Sequence, residues 1–104
     1  MTRLSEQEAA EALAGLPGWS FDAGRGAILK SFRFAGFAEA FGFMTAVAIA
    51  AEKADHHPDW SNSWNRVDIL LTTHSAGGLT ARDLDLAGRI EALAGSLALG
   101  APGH

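Results

Sequence analysis

The chain contains 104 residues, 48% of them hydrophobic, which predicts a single domain (1–104) built around one modest core. It has no cysteine, which excludes disulfides, thiolate metal ligands and a cysteine nucleophile. A net charge of −4 without any basic run argues against a nucleic-acid partner.

The first third of the chain predicts a helix followed by a β-hairpin. Ser5 and Glu8 match a capping box, in which each side chain hydrogen-bonds the other residue's backbone N–H, and they open the first helix. Apolar and polar residues alternate over 19–22 and 28–34, as expected of half-buried strands. The glycine-containing segment 23–26 between them predicts the connecting turn.

The middle of the chain predicts a long helix and a second pair of strands. Apolar residues recur at helical spacing over residues 37 to about 54. Pro58 disfavours helical geometry at the residue before it, so we expect the helix to end near this point. Residues 63–64 and 67–73 predict two further strands around a turn at 65–66.

A final helix completes the predicted order α-β-β-α-β-β-α. Residues 75–78 form a glycine-containing loop, and Thr80 with Asp83 gives a second capping box that opens this helix. Paired hairpins with helices between them predict an α+β fold of two layers, in which a four-stranded antiparallel sheet packs against the helices.

Nothing in the sequence predicts an association with a membrane. The longest strongly apolar stretch, residues 41–51, is too short to cross a bilayer. The N-terminal residues lack the apolar segment of a signal peptide. We therefore expect a soluble, cytoplasmic protein.

Three of the four histidines lie where predicted elements end. His56 and His57 follow the long helix, and His74 follows a predicted strand. The unperturbed pKa of histidine is about 6.5, so imidazoles can donate or accept protons near neutral pH. Helix and strand ends are places where side chains from separate segments converge, so these residues are candidates for acid/base chemistry.

Carboxylates accompany these histidines. Glu52 precedes His56 by four residues and shares its helix face if the helix extends that far. Asp55 and Asp83 could orient an imidazole through a ring N–H. Asp83 has a second interpretation, because a partner in the helix cap is a role that would account for it alone.

The residue pattern leaves three interpretations of the histidines open: a converging acid/base site, a solvated helix end and a metal site. The metal site is the weakest, because adjacent histidines rarely chelate one ion. A serine hydrolase is not indicated, since no Gly-x-Ser-x-Gly motif is present. The glycines of 24–26 do not open a helix, which argues against a dinucleotide site.

Four segments together resemble the signature of the pterin-4a-carbinolamine dehydratase family. They are residues 52–60 (EKADHHPDW), 65–67 (NRV), 73–74 (TH) and 78–83 (GLTARD). The segment 41–45 and Trp19 are also similar to that family, so the resemblance covers nearly the whole chain. Its most specific part is the His-His-Pro element with a third histidine and an aspartate at the family spacing.

The resemblance implies the same α-β-β-α-β-β-α fold and a lyase reaction, the loss of water from 4a-hydroxytetrahydrobiopterin to give a quinonoid dihydropterin. This step belongs to tetrahydrobiopterin recycling, because its pterin substrate is left when an aromatic amino acid hydroxylase turns over. A functional link to such a hydroxylase is therefore implied. The family implies neither a metal nor an organic cofactor.

Residue by residue, the resemblance also implies a site. The catalytic histidines would be His56, His57 and His74. The substrate-binding residues would be Asp55, Thr72, Thr73 and Ser75, with Glu52 and Asp83 in support. Our hypothesis is that His57 and His74 act as acid and base, in either order, while His56 positions the pterin.

The predicted long helix contains more alanine and phenylalanine than one sheet face can bury, which favours a homodimer or homotetramer. A second functional interpretation is a non-catalytic relative that acts as a protein-binding assembly factor or a transcriptional cofactor. A protein that only binds has no chemical need for three histidines and Asp83 together, so the sequence favours the enzyme.

Overall fold

The computed structural model describes residues 2–100, without the side chains of 97–100, and its elements follow the predicted order. The helices are α1 (Glu6–Leu13), α2 (Phe37–Ala54) and α3 (Ala81–Gly100). The strands are β1 (Ser20–Asp22), β2 (Ala27–Arg33), β3 (Asp59–Ser63) and β4 (Arg66–Leu71). This arrangement confirms the α+β class. Among residues 2–100, no helix combines the length and apolar character needed to cross a membrane.

The four strands form one antiparallel sheet in the order β1-β2-β4-β3. β4 alternates between half-buried and buried residues, as a strand with one covered face should. Its buried positions, Val67, Ile69 and Leu71, belong to the same core cluster as Phe43 and Val47 of α2. The core therefore lies between one face of the sheet and the helices.

The second hairpin differs from the prediction. β3 begins at Asp59, earlier than the predicted start at residue 63, and the turn falls at Trp64–Asn65. β3 is an edge strand in which Trp60 is the one large apolar residue, so the sequence shows little of the alternation that reveals a strand. Trp64 adopts a positive φ of 50°, and the side-chain amide of Asn62 donates to its carbonyl oxygen at 3.1 Å.

The segment that joins β4 to α3 is held against two other parts of the fold. The Thr72 hydroxyl donates to the carbonyl oxygen of Gly26, in the β1–β2 turn, at 2.7 Å. A Cβ on Gly26 would lie 2.9 Å from Cα of Gly78, so only glycine permits this close approach. The backbone N–H of Leu4 donates to the carbonyl oxygen of Leu79 at 2.8 Å. These contacts fix the segment that carries His74.

Candidate active site

The end of α2 separates the two adjacent histidines. Asp55 follows the helix in a left-handed conformation, with φ 51° and ψ 44°. The backbone N–H of His56 then donates to the carbonyl oxygen of Ala51 at 3.1 Å, a bond that is typical of a helix-terminating reversal. His56 is only 8% exposed after this reversal, whereas the side chain of His57 is 59% exposed.

The imidazole of His56 is held by a fully buried carboxylate. Its Nε2 lies 2.5 Å from Oδ1 of Asp83, which has no exposed surface. Oδ2 of Asp83 accepts hydrogen bonds from the Thr73 hydroxyl and the Thr80 backbone N–H, each at 2.9 Å. A carboxylate only accepts hydrogen bonds, so Nε2 of His56 is the donor. Its Nδ1 is therefore the nitrogen left for a ligand.

Glu52 contacts a different histidine from the one that its spacing predicts. Its Oε1 lies 2.9 Å from Nε2 of His57, and both side chains are exposed. A shared face with His56 was expected only if the helix extended that far. That condition is not met, because α2 ends at Ala54 and the left-handed Asp55 turns the following residues out of helical register.

His74 belongs to a different part of the chain, the segment that joins β4 to α3. It begins a short 3₁₀ turn (His74–Ala76) directly after Thr73, whose backbone pairs with that of Gly78. The His74 Nε2 lies 3.7 Å from Oδ2 of Asp59, and both side chains are largely exposed. His74 is therefore near a carboxylate without being fixed by it.

One cleft of about 320 Å³ brings the three histidines together. Its lining residues are Asp55, His56, His57, Pro58, Asp59, Thr72, Thr73, His74, Ser75 and Arg82. All seven residues expected to be catalytic or substrate-binding are in this set. Glu52 and Asp83 lie outside the lining and contact histidines that belong to it. The volume falls within the range of small-molecule sites.

Three larger hollows lie elsewhere among the described residues. One of about 570 Å³ covers the open face of the sheet around Leu29 and Leu70, and one of about 590 Å³ lies beside the N-terminal segment around Leu4. The third, of about 390 Å³, lies against α2 and α3 around Ile49 and Leu93. None of the three is lined by a histidine. Chemistry therefore favours the smaller cleft, since size alone does not make a site.

Sequence reasoning missed two charged residues of the cleft. The first is Asp59, whose Oδ2 lies 3.7 Å from Nε2 of His74. The Nη2 of Arg82 donates to the carbonyl oxygens of Ala54, at 3.2 Å, and of Asp55. Both residues stand inside the segments that resemble the family. Their contacts join parts of the chain that are far apart in sequence, so their local spacing gave no signal of a role.

Each histidine of the cleft is thus close to a different carboxylate. The pairs are His56 with Asp83, His57 with Glu52, and His74 with Asp59. An imidazole that is engaged at one nitrogen can present the other to a ligand, so the cleft can exchange protons at more than one point. Within residues 2–100, no group of three or more histidine, aspartate or glutamate side chains is arranged to hold a metal ion.

Known proteins are similar in sequence to this chain over almost its whole length. A family model described as "Pterin 4 alpha carbinolamine dehydratase" matches residues 2–93. A protein of Rhizorhabdus wittichii is 63% identical over 91 residues, covering 88% of this chain and 94% of its own. A protein of Rhodopseudomonas palustris (strain HaA2) is 55% identical over 93 residues, covering 89% and 92%. Both are provisionally named pterin-4-alpha-carbinolamine dehydratase.

Two solved structures share the fold. The crystal structure of a transcriptional coactivator/pterin dehydratase from Brucella melitensis is 50% identical, with a TM-score of 0.86 over 89% of this chain and 99% of that one. A pterin dehydratase-like protein identified as a RuBisCO assembly factor in the alpha-carboxysome is 26% identical, with a TM-score of 0.67 over 75% and 90%. With the match over residues 2–93, these similarities show that the chain belongs to the pterin 4 alpha carbinolamine dehydratase family.

Proposed function

We propose that this protein is a hydro-lyase that removes water from 4a-hydroxytetrahydrobiopterin and releases quinonoid dihydropterin. The observation that carries the proposal is a single cleft lined by three histidines, each near its own carboxylate. Dehydration requires one group that accepts a proton and one that donates a proton. Imidazoles on two separate segments can supply both.

The chemistry assigns different tasks to the exposed histidines. The N–H of the substrate ring loses its proton, and its electrons form a C=N bond to the neighbouring carbon as the C–O bond breaks. The departing hydroxyl gains a proton and leaves as water. His57 and His74 suit these two transfers, because their side chains are 59% and 83% exposed and can reach a bound pterin.

His56 suits a third task, the positioning of the pterin. Its ring is nearly buried and Asp83 holds Nε2, so the ring has little freedom to reorient during a proton transfer. Its Nδ1 has no hydrogen-bond partner among the described residues, yet it is not among their fully buried unsatisfied atoms. This nitrogen is therefore available as a fixed hydrogen-bonding point for the substrate. Asp55, Thr72, Thr73 and Ser75 line the same cleft and complete the proposed substrate site.

The proposed reaction needs only proton transfers, so we propose no metal or organic cofactor for it. Its substrate is the product that a pterin-dependent aromatic amino acid hydroxylase leaves. We therefore propose a functional link to such a hydroxylase, within tetrahydrobiopterin recycling in the cytoplasm.

The test follows dehydration of synthetic 4a-hydroxytetrahydropterin by its ultraviolet change. We expect the wild-type protein to accelerate the reaction over the buffer rate. His57→Gln and His74→Gln should each lower kcat by about 100-fold or more, because each would remove a general acid or base. Glu11→Gln, an exposed change on α1, is the matched control and should leave kcat unchanged.

Two results would contradict the proposal. One is a wild-type protein that leaves the buffer rate unaltered. The other is normal turnover in both histidine variants and in His56→Ala. The pH dependence of kcat in the two Gln variants would separate the roles, since loss of the acid and loss of the base remove opposite limbs of the profile.

A second candidate function is binding without catalysis, in a self-associated protein. Exposed apolar side chains favour it: Phe37 is 52%, Phe41 54% and Ile49 57% exposed, all on α2. We propose that this surface joins copies of the chain into a homodimer or homotetramer, which sedimentation would measure. If the protein associates with copies of itself through this surface but does not accelerate dehydration, an assembly role would be favoured over the dehydratase.

A further inference from the structure

Two buried threonine hydroxyls extend the hydrogen bonding of Asp83. The Oγ1 atoms of Thr73 and Thr80 lie 2.8 Å apart, and Thr73 Oγ1 lies 2.9 Å from Oδ2 of Asp83. All three residues are at most 3% exposed. Water is therefore largely excluded from this chain of contacts, and each polar group depends on the others for its hydrogen bonds.

The direction of the hydrogen bonds follows from counting hydrogens. A hydroxyl carries one hydrogen, and Thr73 donates its own to Asp83, which as a carboxylate only accepts. Thr80 is consequently the donor to Thr73. The chain therefore runs from Thr80 through Thr73 to Oδ2 of Asp83, while Nε2 of His56 donates to Oδ1. Bonds aligned in this way polarise and strengthen one another.

Thr73 links this chain of hydrogen bonds to the segment that carries His74. Its backbone leads directly into His74, which begins the 3₁₀ turn. Its hydroxyl is bonded to the carboxylate that holds His56. One residue thus restrains both the buried histidine and the segment that carries the exposed one, and the bond from Thr80 fixes that residue.

We propose that Thr80 is a positioning residue: its hydroxyl sets the Thr73–Asp83 contact and thereby the orientation of His56 relative to His74. Its hydrogen bonds go to Thr73, Asp83 and Arg82, so it acts on the histidines through its neighbours. The kinetic part of this inference rests on the proposed dehydratase function. The structural part concerns the His56–Asp83 hydrogen bond alone.

A purely structural role for Thr80 would be the cap of α3. Its Oγ1 accepts a hydrogen bond from the backbone N–H of Arg82, but at 3.3 Å this contact is long. The bond to Thr73, at 2.8 Å, is the better formed of the two. The hydroxyl is therefore better placed to direct Thr73 than to cap the helix.

The test compares Thr80→Val, which keeps the branched shape and loses the hydroxyl, with Thr80→Ser, which keeps the hydroxyl. Ser5→Ala is the matched control, since Ser5 caps α1 and is not among the residues that line the cleft. We expect Thr80→Val to lower kcat about tenfold with KM within about twofold, and Thr80→Ser to restore kcat to within about twofold. NMR of the His56 ring should show faster solvent exchange and a shifted resonance of the Nε2 proton in Thr80→Val only.

The two readouts separate the possible failures. Unchanged His56 resonances in a folded Thr80→Val would overturn the inference, as would an equal loss of kcat in Ser5→Ala. If the wild-type protein does not accelerate dehydration, the proposed function fails and the NMR comparison alone decides whether Thr80 positions His56. If Thr80→Val does not fold, Thr80→Ala and Thr80→Ser provide the same comparison.

Discussion

At the starts of α1 and α3, a carboxylate accepts a hydrogen bond from the backbone N–H three residues before it, in opposite environments. At α1, the N–H of Glu8 donates to Oγ of Ser5 at 3.1 Å, and the N–H of Ser5 donates to Oε1 of Glu8 at 2.9 Å, all in exposed surroundings. At α3, the N–H of Thr80 donates to Oδ2 of Asp83, which is fully buried and has its other oxygen on His56. The reciprocal half of the predicted capping box is absent at α3, where the Thr80 hydroxyl accepts from the N–H of Arg82 at 3.3 Å. The carboxylate of Glu8 therefore serves the helix start only, whereas that of Asp83 also holds a histidine of the candidate site.

The comparison resolves the two interpretations of Asp83. A capping partner and an orienting carboxylate were alternatives at the level of sequence, yet a carboxylate has two oxygens and can serve both. Burial decides whether the carboxylate only caps the helix or also holds a second partner. In water Glu8 gains little from a second partner, whereas a buried Asp83 needs a donor at each oxygen.

The largest expected effect comes from removing the buried carboxylate. Asp83→Ala should lower the free energy of unfolding by about 3 kcal/mol, because it leaves the Thr73 hydroxyl and the Thr80 N–H without an acceptor. It should also free the His56 ring and reduce dehydration. Urea unfolding followed by tryptophan fluorescence measures the stability. A loss no larger than that of Glu8→Ala would contradict the contrast drawn between the two motifs.

The exposed motif should show a smaller effect that is confined to stability. Ser5→Ala should lower the free energy of unfolding by about 1 kcal/mol, the usual contribution of a helix cap, and should leave kcat unaltered. The same unfolding titration measures this change, with the dehydration assay beside it. A clear fall in kcat would mean that the start of α1 also influences the cleft.

The smallest effect is expected at the exposed pair of Glu52 and His57. Glu52→Gln should change the free energy of unfolding by less than about 0.5 kcal/mol, because solvent screens a pair at the surface. If the activation barrier also changes by no more than about 0.5 kcal/mol, kcat of Glu52→Gln stays within about twofold of the wild-type value. Steady-state rates of the variant and wild type measure this directly. A loss approaching that of Asp83→Ala would show that exposure is a poor guide to the importance of a carboxylate here.

The sequence predicted those parts of the molecule that depend on local chemistry. The start of α2 at Phe37 and its end near Ala54 agree with the helical periodicity and with Pro58. The three histidines were candidates from their positions at element ends, whereas Thr72, Thr73 and Ser75 were named through the resemblance alone. Neither spacing nor composition could show that all of them line one cleft.

The remaining features depend on tertiary contacts. The start of β3 was missed because an edge strand can stay polar. Glu52 does not share a helix face with His56, because Asp55 leaves the helical conformation. The contacts of Thr80 and Arg82 join residues whose relation appears only when α2, β4 and α3 meet.

The left-handed conformation of Asp55 has a consequence for protein engineering. Glycine adopts this conformation freely, whereas a residue with a Cβ is disfavoured there by about 1 kcal/mol. Selection for heat resistance alone would therefore favour glycine at position 55. Such a substitution would also remove a carboxylate from the wall of the cleft, so under the proposed function it would trade affinity for the pterin against stability.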